Sequence, residues 1–210
     1  MNIVEALNWR YAAKRMNGSK VPQEKIDRIL EAARLAPSSY GLQAYSVLVI
    51  EDSALREKIR LLAYNQPQIT ECSHLLVFAA WENVNEGHVD DFIRMTARER
   101  GLNAADLDGY RQAINGTVNG FASAEEQFHW AAKQAYISLG TALTAAAAEQ
   151  IDASPMEGFN AAGLDKLLSL REQGMRSAVL LALGYRDHET DRQAAMKKVR
   201  WPKDRMFIHL

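Results

Sequence analysis

Ser123-Ala-Glu-Glu-Gln-Phe-His-Trp-Ala-Ala-Lys-Gln-Ala-Tyr-Ile-Ser-Leu-Gly-Thr-Ala-Leu-Thr-Ala-Ala-Ala-Ala-Glu-Gln150 is the longest helical stretch of the chain. Beyond its first turns it holds few large polar groups. A helix apolar nearly all round is buried, in a core or between subunits. Its alanines, Ala145 to Ala148 above all, let neighbouring helices approach closely.

Working outward, Tyr45–Ile50, Leu75–Trp81 and Ser177–Leu183 read as apolar strands. Ile3, Val4, Leu7 and Tyr11 repeat with a helical period over residues 2–13. A second helix is predicted to begin near Pro22, a good first-turn residue followed by Glu24, and to present Ile26, Ile29, Leu30 and Ala33 on one face. It stops before Pro37, because the residue preceding a proline avoids the helical region. Asp52 or Ser53 caps a helix running to about Tyr64. Residues 88–117 are polar and helical with a break near Gly101, and read as a flap or lid. The tail, Met206-Phe-Ile-His-Leu210, has β propensity but lies far beyond the last core strand. Adding it to a partner's sheet would give it a place. Helices around a small sheet make an α+β domain, expected to be a single domain over 1–210 because no linker or repeat divides it.

Composition narrows the function. With 48% hydrophobic and 24% charged residues the chain is an ordinary soluble one, and at this length roughly 70% of the unfolded surface can be buried. A net charge of −1 provides no global field toward nucleic acid or an anionic membrane. Cys72 has no internal partner and fits a reducing cytosol. No signal sequence or membrane-length apolar run is present, so a cytoplasmic location is expected. Fingerprints for a Rossmann site, a P-loop, a zinc site and a hydrolase elbow are all missing. The five histidines have no metal-ligand spacing and read as surface or packing residues.

Three short segments share an anion-binding character. Arg10 and Lys14 lie four apart and point the same way in helix or strand. Pro37-Ser-Ser-Tyr-Gly-Leu-Gln43 is a turn rich in hydroxyl and amide donors. Lys198-Val-Arg200 puts two cations on one side of an extended segment. Taken singly, each is what an ordinary surface offers.

Together with Asn65-Gln-Pro-Gln68, Ser73-His-Leu-Leu-Val-Phe78, Trp130-Ala-Ala-Lys-Gln-Ala-Tyr136 and Pro155-Met-Glu-Gly-Phe159, they stand in an order and spacing that resembles the FMN-dependent, oxygen-insensitive NAD(P)H nitroreductases of bacteria from end to end. Residues 86–122 are the least similar part. The resemblance implies a central mixed sheet surrounded by helices and an intertwined homodimer whose C-terminal tail strand is donated to the partner. It implies two FMN sites at the interface, with FMN held tightly but not covalently. Arg10, Lys198 and Arg200 would hold the FMN phosphate, for which guanidinium groups offer paired donors. Lys14 would sit near N1 and O2 of the flavin, and Asn65 at the pyrimidine edge with Gln68 beyond it. Pro37, Ser38, Ser39 and Gln43 would reach the flavin from the partner. Met156 would pack nearby, with the backbone of Glu157 and Gly158 beside N5.

No side chain needs to be a nucleophile, because FMN carries the electrons and the protein binds and tunes it. NADH or NADPH and a small oxidant, such as a nitroaromatic or quinone, would take turns in one cleft. Alternatives are a more specific enone or dehalogenating reductase of the same fold, and a flavin carrier or sensor without turnover. Two residues depart from the family pattern: Ala12 stands where a small hydroxyl residue is common, and Gln68 where one branch has lysine. Trp130 and Tyr136 read as packing rather than as a flavin stack. Asn65 can also be read as a helix C-cap, and Pro155–Phe159 as an ordinary turn.

Overall fold

The structure, a computed structural model, describes residues 2–210. Helix α1 spans Ile3–Trp9 and begins with a reciprocal capping box between Asn2 and Glu5. It ends earlier than the helical period of residues 2–13 predicts, because Arg10 turns extended (φ −71°, ψ 145°). Helix α2 is Gln23–Arg34, with Pro22 at its N-cap and Ile26, Ile29 and Ala33 buried. Strand β1 is Tyr45–Ile50. Helix α3, Ser53–Leu62, starts where Asp52 accepts a hydrogen bond from the Leu55 amide. The single turn α4, Gln68–Glu71, leads into β2, His74–Trp81.

Helices α5 (Glu86–Arg100) and α6 (Asp108–Asn119) form an arm. The break falls at Gly101, whose left-handed φ of 64° ends α5. Helix α7 is Ala124–Ala148, capped by Ser123. Strand β3 (Asp152–Met156), helix α8 (Ala161–Leu167), strand β4 (Met175–Gly184) and the short helix α9 (Lys203–Met206) complete the chain.

The four-stranded sheet has the order β1-β2-β4-β3. Side chains alternate across it, as strand geometry demands. Leu76, Phe78, Val179, Leu181 and Leu183 meet α2 and α7 on one face. Leu75, Val77, Leu180 and Ala182 meet Ile59 of α3, Ile69 of α4 and Leu164 of α8 on the other. The inward faces of the arm, Val89, Ile93, Ile114 and Val118, close a further cluster over Leu42, Ala44, Phe128 and Ala131.

Two expectations change. The expected mixed sheet is antiparallel throughout in this chain: each neighbouring strand runs back against the last, and the tail forms no ladder among the described residues. Strand β3 was not foreseen, since Asp-Ala-Ser-Pro-Met has weak β propensity. It is an edge strand paired only to β4, a place where a proline without an N–H is tolerated.

The long helix divides its surface. Ala131, Ala135, Ala142 and Ala146 are buried against the sheet and its neighbours, while Lys133, Tyr136, Ile137 and Gly140 face outward. Close by in the fold, α1 lies against α7, with Ile3 62% exposed, and in the tail Ile208 is 81% exposed. Among the described residues no helix is long and apolar enough to cross a membrane.

Candidate functional site

The extended stretch after α1 is held by two buried carboxylates. Asp191 accepts from the amides of Lys14 (2.8 Å) and Arg15 (3.4 Å), from the Tyr11 hydroxyl (3.0 Å) and from the Gln193 amide (3.0 Å). Asp152 accepts from the Arg186 amide and from its Nε, both at 2.8 Å. The Arg186 guanidinium lies 4.4 Å from the centre of the Trp9 ring and 4.5 Å from that of Tyr11, within cation–π reach of both. These contacts lay residues 9–15 against the segment that follows β4.

The result is a cleft of about 670 Å³ lined by Arg10, Lys198 and Arg200, with Trp9, Pro155 and Arg186 in its wall. Arg10 is pushed below its ordinary value by burial and then by the charge of Arg200. Lys198 is lowered by burial and by both arginines. The Lys198 ammonium donates to the carbonyls of Leu7 and Arg10, where it caps the end of α1. Arg10 Nε is buried and has no partner among the described residues. An unspent buried donor among crowded cations is relieved by a bound anion, which supplies both an acceptor and the opposite charge.

A second group adjoins it. Ala13, Ala63, Ile69 and Met156 share one core cluster, so the stretches 10–14, 65–68 and 156–158 converge. Tyr64 and Asn65 end α3 in left-handed conformations (φ 54° and 58°), and the Asn65 amide donates to Arg60. Asn65 thus terminates the helix and also stands exposed at the site. Gln66 Nε2 donates to the Gly158 carbonyl at 2.8 Å. Gln68, 1% exposed, donates to Gln66 Oε1 at 3.1 Å, one step back from the surface. The Tyr136 hydroxyl donates to Glu157 Oε1 at 2.7 Å. The amides of Glu157 and Gly158 have no acceptor among the described residues. Lys14 is anchored by its backbone, and its ammonium has no ion pair there.

The Pro37–Gln43 loop stands apart. Its bends use left-handed backbone at Tyr40 (φ 57°), Gly41 (68°) and Gln43 (48°), a cost of about 1–3 kcal/mol for each non-glycine residue. Neighbours hold it there. Tyr110 donates to the Tyr40 carbonyl, and the Tyr40 hydroxyl meets Thr117 Oγ1 at 2.7 Å. Ser38 Oγ accepts from the Gln43 amide at 3.0 Å, Gln43 Nε2 donates to the Arg34 carbonyl, and the Ser39 amide donates to Gln134 of α7 at 2.9 Å. Gln134 and Tyr136 are two residues apart, about 200° around the helix. The loop and the turn at Glu157 therefore dock on opposite sides of α7.

With this geometry in place, a profile of the nitroreductase family matches residues 7–185. The chain belongs to the nitroreductase family. A Staphylococcus saprophyticus protein provisionally named an NAD(P)H nitroreductase is 31% identical over 204 residues, 89% of each chain. A Bacillus subtilis member superposes with a TM-score of 0.86 at 20% identity, covering 99% of this chain and 98% of that one. An Exiguobacterium sibiricum member, solved in complex with FMN, superposes at 0.83 with 22% identity, covering 100% and 98%.

Within this nitroreductase fold, the sequence motifs left out the residues that hold the site together. Asp191 and the Asp152–Arg186 pair belong to no motif, and apart from the nearby Gln193 their partners are 34 to 180 positions away. Gln66 lay inside the Asn-Gln-Pro-Gln block without an assigned role. Tyr136, read as packing, also makes a polar contact to Glu157.

Proposed function

We propose that the protein is an FMN-dependent oxidoreductase that draws on NADH or NADPH and reduces small oxidants such as nitroaromatics or quinones. The observation that carries this reading is the unspent Arg10 Nε in a cleft shared with Lys198 and Arg200, in a chain of the nitroreductase family. Bound FMN supplies the redox chemistry, taking electrons from the nicotinamide and passing them to the oxidant.

The chain's own residues bind and tune. Arg10, Lys198 and Arg200 hold the phosphate, whose oxygens match guanidinium forks. Lys14 and Asn65 serve the pyrimidine edge, with Gln68 behind them. A cation at that edge stabilises the negative charge that gathers there on reduction. The free amides of Glu157 and Gly158 serve N5, and Met156 supports them from the core. Donor and oxidant use one cleft in turn, which predicts substituted-enzyme kinetics and explains a nicotinamide enzyme without a Rossmann motif. The α5–α6 arm forms the variable wall that selects the oxidant.

Pro37, Ser38, Ser39 and Gln43 complete the site of a second copy. The docking of this loop on the far side of α7 supports that reading, as do the exposed apolar surfaces of α1, the outer α7 face and the tail. The assembly is a cytoplasmic homodimer with the tail laid on the partner.

Purified protein is expected to be yellow, and NADH or NADPH should bleach it anaerobically. Reoxidation by a panel of nitroaromatics, quinones and enones then ranks the acceptors. Colourless protein that fails to take up added FMN sinks the reading, and yellow protein that neither nicotinamide bleaches makes it a carrier or sensor.

A further inference from the structure

The turn after β3 is gripped from two directions. From the α3–α4 side, Gln66 Nε2 donates to the Gly158 carbonyl (2.8 Å) and to the Ala63 carbonyl (3.2 Å), while its Oε1 accepts from Gln68 (3.1 Å). Both N–H groups of the Gln66 amide are thus committed, so it cannot rotate without losing a bond. The contact is close: a Cβ on Gly158 would lie 3.3 Å from Gln66 Nε2, and a side chain there would force the amide aside. From the α7 side, Tyr136 donates to the Glu157 carboxylate at 2.7 Å. Burial, then the hydrogen bond to Glu157 and its charge, push the Tyr136 phenol up, so the hydroxyl remains a donor at neutral pH. Between the two grips, the amides of Glu157 and Gly158 carry no acceptor.

We infer that Gln66 and Tyr136 are positioning residues that pin the Glu157–Gly158 turn from opposite sides and hold its unspent amides ready for the hydride-accepting edge of the flavin. The inference rests on the FMN reading above. Gln68 belongs to the same device: its buried amide fixes Gln66, which joins the end of α3 at Asn65 to the turn. A neutral side chain suits this position because it must both donate to Gln66 and remain buried without a charge.

The test uses the flavin-loaded protein and the variants Gln66→Met and Tyr136→Phe. Hydrogen exchange at residues 156–160 reads the turn directly. Single-turnover anaerobic bleaching by NADPH and by NADH reads the reaction, and FMN titration reads affinity. Loss of one such hydrogen bond is worth about a fivefold change. Each variant is expected to speed exchange by about fivefold and to slow the limiting bleaching rate by a similar factor. FMN affinity and nicotinamide half-saturation should stay within about twofold. Tyr136→Phe alters only one partly exposed hydroxyl, so it keeps the test valid if Gln66→Met folds poorly. Bleaching at the wild-type rate despite faster exchange overturns the inference alone, as does unchanged exchange in both variants. Wild-type protein that takes up no FMN overturns the parent reading and this inference with it.

Discussion

The Arg10 cradle and the Pro37–Gln43 loop serve one proposed site but are built in opposite ways. The cradle is drawn together over long stretches of chain by buried carboxylates: Asp191 holds Tyr11, Lys14 and Arg15, and Asp152 holds Arg186 beneath Trp9 and Tyr11. The loop is bent locally into left-handed backbone at Tyr40 and Gln43 and kept there by neutral hydrogen bonds, one donated by Tyr110 and two accepted by Gln134 and the Arg34 carbonyl. A charge-built half collapses when one ion is removed, whereas a half built from many neutral contacts loses little with each.

The largest effect is expected at Arg186. Arg186→Leu leaves the Asp152 carboxylate, 3% exposed, without its cation. Breaking a buried pair in this way costs about 3–5 kcal/mol, which lowers the melting temperature by about 10 °C for a chain of this size. Tyr110→Phe in the loop half should cost about 1 kcal/mol. Thermal unfolding of both variants checks the contrast, and equal losses would break it.

Arg10→Ala is next. Removing a charged, partly buried donor should weaken FMN binding by about 2 kcal/mol, roughly thirtyfold, whereas Ser38→Ala should cost less than about 1 kcal/mol. Fluorescence titration with FMN separates them. Subunit mixing sharpens the point. If the two halves act in trans, dimers of Arg10→Ala with a Ser38→Ala/Gln43→Ala variant carry one intact site and one doubly damaged site. Random reassortment should then leave about a quarter of all sites intact, with activity above the mean of the two parents. No gain on mixing would place both halves in one chain's site.

The smallest effect concerns acid. Burial raises the Asp191 carboxyl, but the amides of Lys14 and Gln193, the Tyr11 hydroxyl and the Arg15 amide outweigh it and hold the group below its ordinary 3.8. A depressed carboxylate lends its full stability above the unfolded value and loses it as pH falls through the folded one. The cradle should therefore weaken below pH 3.8, while no carboxylate holds the loop. Asp191→Asn should flatten the acid limb of melting temperature against pH. An unchanged limb would remove Asp191 from the clamp.

Much of the architecture is legible in the sequence. The helix starts near Pro22 and Ser123, the cap at Asp52, the break at Gly101 and the apolar runs of β1, β2 and β4 are local signals, set by backbone sterics and by the periodicity of nearby side chains. Strand β3 was hidden because its residues lack β propensity and rely on β4 for pairing. The early end of α1 was hidden because Arg10 turns extended where the helical period of residues 2–13 would carry on.

The sequence alone determined which chemistry-bearing groups were available: the cations at 10, 14, 198 and 200, the donor-rich turn at 37–43 and the ordered set of blocks that marks the nitroreductase family. Only the tertiary structure decided which of them meet. It joined Arg10 to Lys198 and Arg200, tied Asn65 to Gly158 through Gln66, and set the Pro37–Gln43 loop on the other side of α7. The physical reason is that helix and strand formation depend on neighbours a few residues apart. Charge clustering and the satisfaction of buried polar groups depend instead on partners that only the packed chain brings within about 3 Å.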